Sequence, residues 1–151
     1  NYISVMPSNL YGPNDNFDLE TGHALPSLLH KVHIAKKNNI KQVEVWGSGK
    51  PRREFLHVDD LAQACLLLMK QKELKYDCYN IGVGSDLTIK ELVQIIFEVV
   101  DYKGEYIFNT DKPDGTYQKL LEISRVSSIG WSPNISLKKG IEDVYKKSFL
   151  N

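Results

Sequence analysis

Trp46-Gly47-Ser48-Gly49-Lys50-Pro51-Arg52-Arg53-Glu54-Phe55-Leu56-His57-Val58-Asp59-Asp60 holds the densest run of chemistry-bearing residues in the chain. An aromatic closes a short apolar run, Gly47 and Gly49 free the backbone, two arginines follow, and paired aspartates stand where a helix begins. Flexible backbone, a flat apolar surface and bidentate cations are the means of gripping a phosphorylated ligand. The same composition also describes a surface turn with a charged rim. The flanking sequence must decide.

Downstream, Asp59 reads as the cap of a helix, with Asp60 favourable near its positive end. Leu61, Ala64, Cys65, Leu68 and Met69 give that helix a buried stripe. Residues 78–81 read as a short strand. Thr88-Ile89-Lys90-Glu91 is a capping box, with Leu92, Ile95, Ile96 and Val99 facing inward on the next helix. A strand at 105–108 and a turn at 112–115 follow. A short helix at 124–129 is stopped by Gly130, and Ser136 stands at the cap of a last helix reaching 149. Upstream, residues 2–6 predict a strand ending at Pro7, then a turn-rich segment over 7–13 and a polar loop over 14–22. Leu25, Leu28, Leu29, Val32 and Ala35 recur at helical spacing over 24–38, and residues 43–46 form a short strand. Short strands alternate with longer helices. The reading is a small, helix-rich, mixed α/β domain.

The totals restrict function. A chain of 151 residues with 42% hydrophobic and 25% charged residues can bury a real core. Nineteen basic and nineteen acidic residues cancel, which disfavours a broad nucleic-acid or anionic-membrane surface and leaves room for a local anion site. No apolar run approaches a membrane span and no signal-peptide pattern opens the chain. Two cysteines, Cys65 and Cys78, make no disulfide framework; Cys65 reads as core, and a reducing, cytoplasmic setting is expected. The first residues, with no initiator methionine, read as the start of a piece of something longer.

Several motifs are weaker than they look. Gly82-Val83-Gly84 sits between a strand and a helix, where a dinucleotide fingerprint would be, but position 87 is leucine rather than a third glycine. A structural turn is the reading. His30 and His33 are three apart on a helix with no third ligand in view, so they read as solvated histidines and no metal is assigned. His23 closes the polar loop just before a helix, where its ring can lean toward residues 7–12 and serve as a general acid or base. A helix-entry histidine is the plainer alternative. No tyrosine is followed four residues later by lysine, and no Gly-x-Ser-x-Gly or P-loop is present.

A family resemblance now rests on particular residues. Residues 7–17 (Pro-Ser-Asn-Leu-Tyr-Gly-Pro-Asn-Asp-Asn-Phe), His23-Ala24-Leu25-Pro26, Val45-Trp46-Gly47-Ser48-Gly49, Arg53-Glu54-Phe55-Leu56-His57-Val58-Asp59-Asp60 and Lys112-Pro113-Asp114-Gly115 occur in order. Together they resemble the GDP-L-fucose synthase family of extended short-chain dehydrogenases, across essentially the whole chain. Arg-x-Phe-x-His-Val-Asp-Asp is shared by many nucleotide-sugar enzymes; its combination with the other segments is the specific signal.

That resemblance implies an NADP-dependent enzyme that converts GDP-4-keto-6-deoxymannose to GDP-L-fucose by 3,5-epimerisation and 4-reduction. It implies that the cofactor glycines, the catalytic Ser, Tyr and Lys, and the epimerisation cysteine lie before residue 1. Residues 1–12 would then be the last strand and loop of a Rossmann domain and 13–151 the GDP-sugar-binding domain, inactive alone. By the same resemblance Pro7, Ser8, Asn9 and Leu10 border the nicotinamide end of NADPH with His23 close by, His23 is catalytic, and Lys31, Trp46, Arg53 and Asp114 face the GDP-sugar. Lysine at 31 replaces a frequent arginine, keeping the charge and losing the planar fork. The intact protein would be a homodimer and this portion monomeric. Another nucleotide-sugar epimerase or dehydratase, or a non-enzymatic sugar-nucleotide-binding module, are the competing readings.

Overall fold

Helix α1 (Ala24–Lys37) forms where Leu25, Leu28, Leu29, Val32 and Ala35 recur every three or four residues, and all five are buried. The computed structural model describes residues 2–150. Against α1 lies a parallel pair, β3 (Gln42–Trp46) with β8 (Glu105–Asn109). Val43 and Val45 alternate inward on β3 and close the layer. Helices α3 (Ile89–Val100) and α5 (Leu137–Phe149) complete this first core. The Thr88 capping box is present in both directions: Glu91 N–H donates to Thr88 Oγ1, and Thr88 N–H donates to the Glu91 carboxylate.

A second core gathers around another parallel pair, β1 (Ser4–Pro7) with β6 (Cys78–Ile81). Helix α2 (Val58–Lys70) and the short α4 (Ser124–Ser127) cover it, burying Leu56, Leu68, Tyr79, Ile81 and Val126. Between the two cores run β2 (Asn9–Tyr11) and β5 (Phe55–His57), also parallel. The ladder of β4 (Arg52–Arg53), β7 (Leu87–Thr88) and β9 (Gln118–Lys119) closes one side. Mixed α/β is therefore the fold class, with small, mostly parallel sheets.

Several local expectations are corrected. Residues 9–11 lie in a strand, not a turn, because β5 supplies a backbone partner that local propensity does not reveal. His57, not Asp59, caps α2: β5 runs straight into the helix, and the His57 ring Nδ1 accepts from Asp59 N–H at 3.2 Å. Asp60 is buried and turned to another task, accepting from Asn134 and Ile135 N–H at 3.1 and 3.0 Å. It thereby holds the approach to α5, whose Ser136 makes no side-chain capping bond. Met69 is 71% exposed, off the stripe set by Ala64 and Leu68. Cys65 and Cys78 are free and half-buried, so Cys65 is not core.

His30 and His33 are half-buried under α5 rather than solvated. Their rings lie 5.4 and 4.8 Å from that of Phe149. His30 Nδ1 meets the Phe17 carbonyl at 2.7 Å and His33 Nδ1 meets the Tyr145 hydroxyl at 3.1 Å. Burial, reinforced by His30, Lys37 and Lys36, lowers the His33 pKa. Among the described residues no cluster of three metal-ligating side chains occurs, and no helix is long and apolar enough to cross a membrane.

Tyr11 shows how closely the second and first cores meet. Its ring is edge-on to His57 at 5.3 Å, and its buried hydroxyl has no hydrogen-bond partner. Burial first, then Asp60 and Asp143, raises its pKa far above the usual phenol range. A Cβ on Gly140 of α5 would lie 2.1 Å from that hydroxyl. Gly140→Ala therefore lowers stability by about 1–2 kcal/mol, overpacking outweighing a helix-propensity gain of about 1 kcal/mol. Urea unfolding checks this, and adding Tyr11→Phe restores only part of the loss, because the ring carbons would still lie 2.9 and 3.0 Å from the new Cβ.

Candidate active site

The site is built on a loop that bonds to itself. Over residues 15–22, Asp18 Oδ1 accepts from Glu20 N–H at 3.0 Å and from Thr21 N–H and Oγ1 at 2.8 Å each. These bonds, the Thr21 amide first, lower the Asp18 pKa. The Phe17 contact to His30 ties the loop to α1. It delivers His23 to the N-cap of α1 in extended conformation with no side-chain capping bond, so the ring is exposed and available.

His23 borders a hollow of about 650 Å³ together with Ser8, Asn9, Leu10, Arg53 and Lys119. Pro7 does not reach it; Pro7 lines a neighbouring depression with Ser8, Asn9 and Lys119. Asn9 is fixed, its side-chain amide donating to the Glu54 carbonyl at 2.7 Å. Ser8 Oγ is buried without a partner. A second cavity of about 270 Å³ is lined by Lys31, Trp46, Arg53 and Asp114, with Leu19 and Glu20 from the loop. The four residues named for the GDP-sugar thus share one cavity, and Arg53 stands in the wall between it and the His23 hollow.

The two adjacent arginines divide. Arg52 Nε donates to Asp86 Oδ1 at 2.7 Å and its Nη2 to the Asp86 carbonyl at 3.0 Å, bracing β4 against β7. Arg53 donates to the Arg52 carbonyl at 2.7 Å, and among the described residues no carboxylate pairs with it. Its guanidinium keeps donors for a ligand. Trp46 is 51% exposed, with Lys31 Nζ 5.6 Å and Lys112 Nζ 5.1 Å from its ring centre. Asp114 clasps the glycine turn: Oδ1 accepts from Ser48 N–H at 2.6 Å and Oδ2 from Ser48 Oγ at 2.7 Å. Gly47 has φ of +82°, and a Cβ there would lie 2.4 Å from Asp114 Oδ1, so only glycine admits the clasp.

Two residues of the site escaped sequence reasoning. Lys119 joins Arg53 because β9 and β4 pair in register there, a juxtaposition across 66 positions with no local signal. Glu54 lies in the opening stretch yet is wholly buried. Its Oε1 accepts from Val83 and Gly84 N–H at 2.6 and 2.7 Å, and its Oε2 from Leu121 N–H at 3.0 Å. The Gly82–Gly84 turn is therefore filled by the protein's own carboxylate, which is why it serves structure and not a cofactor.

The family model described as "NAD dependent epimerase/dehydratase family" matches residues 1–82. The chain belongs to this family. Among individual relatives it is similar to "Putative GDP-L-fucose synthase 2" of Arabidopsis thaliana, 53% identical over 95% of this chain and 44% of that protein. GDP-L-fucose synthase of Escherichia coli K12 is 46% identical over 96% of this chain and 48% of that protein. A solved GDP-L-fucose synthetase from Naegleria fowleri, bound to NADP, superposes with a TM-score of 0.89 at 32% identity, covering 99% of this chain and 47% of that one. The chain spans about half the length of the curated relatives it matches.

The clasp has a pH signature. The Ser48 amide first and its hydroxyl second lower the Asp114 pKa. A lowered folded-state pKa means a stabilising contribution that is complete above the unfolded value of about 3.9 and is lost as pH falls through the folded one. An NMR titration of the Asp114 carboxyl gives a midpoint below about 3.9. Ser48→Ala moves it part of the way back, because the amide, the larger influence, remains.

Proposed function

We propose that this chain is the GDP-sugar-binding portion of a GDP-L-fucose synthase, which epimerises GDP-4-keto-6-deoxymannose at C3 and C5 and reduces it at C4. In this reading residues 1–12 are the last strand and loop of the cofactor domain and 13–151 the substrate domain of a cytoplasmic homodimer. The observation that carries it is the meeting of two hollows at Arg53: one bordered by His23, Ser8, Asn9 and Leu10, the other by Lys31, Trp46 and Asp114. A sugar nucleotide needs such a division, with its reacting carbons in one hollow, its base in the other and its diphosphate at the cation between. The names of the relatives support the same choice.

NADPH, when bound, supplies the hydride that reduces C4. The residues fit its nicotinamide end: Ser8 Oγ is a buried donor and acceptor without a partner, beside Leu10 and within the hollow of His23. Pro7 would border it from the adjoining depression. This chain's own work is binding and proton transfer. The C4 ketone acidifies the hydrogens on C3 and C5, since the carbanion left behind delocalises onto the ketone oxygen. The epimerisation cysteine that the resemblance implies takes the proton from one face of the ring, and His23, exposed and not engaged in capping, returns a proton to the carbon on the other. Arg53 and Lys119, side by side in the ladder, neutralise the diphosphate. Lys31 adds charge beside Trp46, whose face carries the base. Asp114 acts by holding Ser48 and the turn at the wall of the cavity.

In the intact protein, His23→Ala slows solvent-proton exchange at C3 and C5 by about 100-fold or more, as removal of a general acid does. Undiminished exchange removes His23 from the mechanism. Arg53→Ala weakens GDP binding by about tenfold or more in calorimetry, the loss of a charge-assisted contact. Residues 1–151 alone give no turnover with NADPH, and measured turnover overturns the assignment of this chain as the binding portion only.

A further inference from the structure

Two carboxylates line the Trp46 cavity, and they are not equivalent. Asp114 has both oxygens occupied by Ser48. Glu20 lines the same cavity from the self-bonded loop, and among the described residues its carboxylate takes part in no hydrogen bond or ion pair. Its backbone is nonetheless fixed, because Glu20 N–H donates to Asp18 Oδ1 at 3.0 Å and Thr21 and Gly22 are pinned to Asp18 as well. A carboxylate with free oxygens on a rigid backbone is poised for a ligand's donors.

Its surroundings say which donors. Leu19 and Trp46, 39% and 51% exposed, give the cavity apolar surface for a flat ring. Lys31 and Lys112 bring ammonium groups within 5.6 and 5.1 Å of the indole centre. Guanine matches this mixture: N1–H and the 2-amino group are parallel donors that suit two carboxylate oxygens, while O6 and N7 are acceptors that suit an ammonium. Adenine presents an acceptor at N1, and uracil flanks its one N–H with carbonyls that repel a carboxylate.

We propose that Glu20, rather than Asp114, reads the base, accepting from guanine N1–H and the 2-amino group, and so selects GDP-sugars. This rests on the sugar-nucleotide reading of the cavity. Calorimetry of the intact protein with GDP and with IDP, which lacks the 2-amino group, tests it. Wild type binds GDP about tenfold more tightly than IDP, the effect of one charge-assisted hydrogen bond. Glu20→Ala and Glu20→Gln bring the two within about twofold of each other, by weakening GDP more than IDP. Arg53→Ala weakens both and keeps their ratio. Equal affinities in wild type, or a ratio preserved in both Glu20 variants, overturn the assignment of Glu20 while leaving the nucleotide site standing. Failure of wild type to bind GDP at all removes the nucleotide reading, and this inference with it.

Discussion

The carboxylate of Glu54 is the contact on which the arrangement depends. It lies wholly inside the protein and accepts from three backbone amides, of Val83, Gly84 and Leu121. Its carbonyl receives the side-chain amide of Asn9. A buried carboxylate is costly unless its lone pairs meet donors, and here the donors come from separate segments that would otherwise have no reason to converge. Gly82 is part of the device: a Cβ there would lie 2.4 Å from Glu54 Oε1. The Glu54 side chain thereby docks the turn after β6 and the segment after β9, while its backbone carbonyl holds the start of β2 through Asn9.

From that docking follows the different fate of three consecutive residues. Arg52 turns to Asp86 and locks the ladder, Glu54 turns into the protein, and Arg53 between them faces the two hollows. Glu54 joins β4 to β5, so fixing it inward also anchors the end of the strand that presents Arg53 to the hollows. Lys119 arrives beside Arg53 only because β9 is registered on β4. The positive charge at the junction of the hollows is thus a product of strand register.

Loop 15–22 makes the complementary wall. Asp18 satisfies backbone donors that a loop would otherwise leave to water, and His30 anchors it to α1 through the Phe17 carbonyl. The histidine pair that resembles a metal site in sequence is occupied instead with this anchor and with Tyr145. Asp114 performs for the glycine turn what Asp18 performs for the loop. Both acidic residues hold backbone in place beside the cavities, which Glu20 and Arg53 line.

Helical periodicity at Leu25 to Ala35, the Thr88–Glu91 capping box and the short strand at 43–46 were legible in the sequence because they are local: composition and spacing along the chain decide them. The family resemblance also named Lys31, Trp46, Arg53 and Asp114, which the fold gathers at one cavity. What only tertiary structure decided was partnership. Residues 9–11 became a strand through β5, His57 took the cap expected of Asp59, and Asp60 reached across to residues 134–135. Whether a carboxylate faces a ligand or the protein's own amides is a matter of which distant backbone groups lack partners. Glu20, Glu54 and Asp114 look alike in a sequence, and their neighbours in space set them apart.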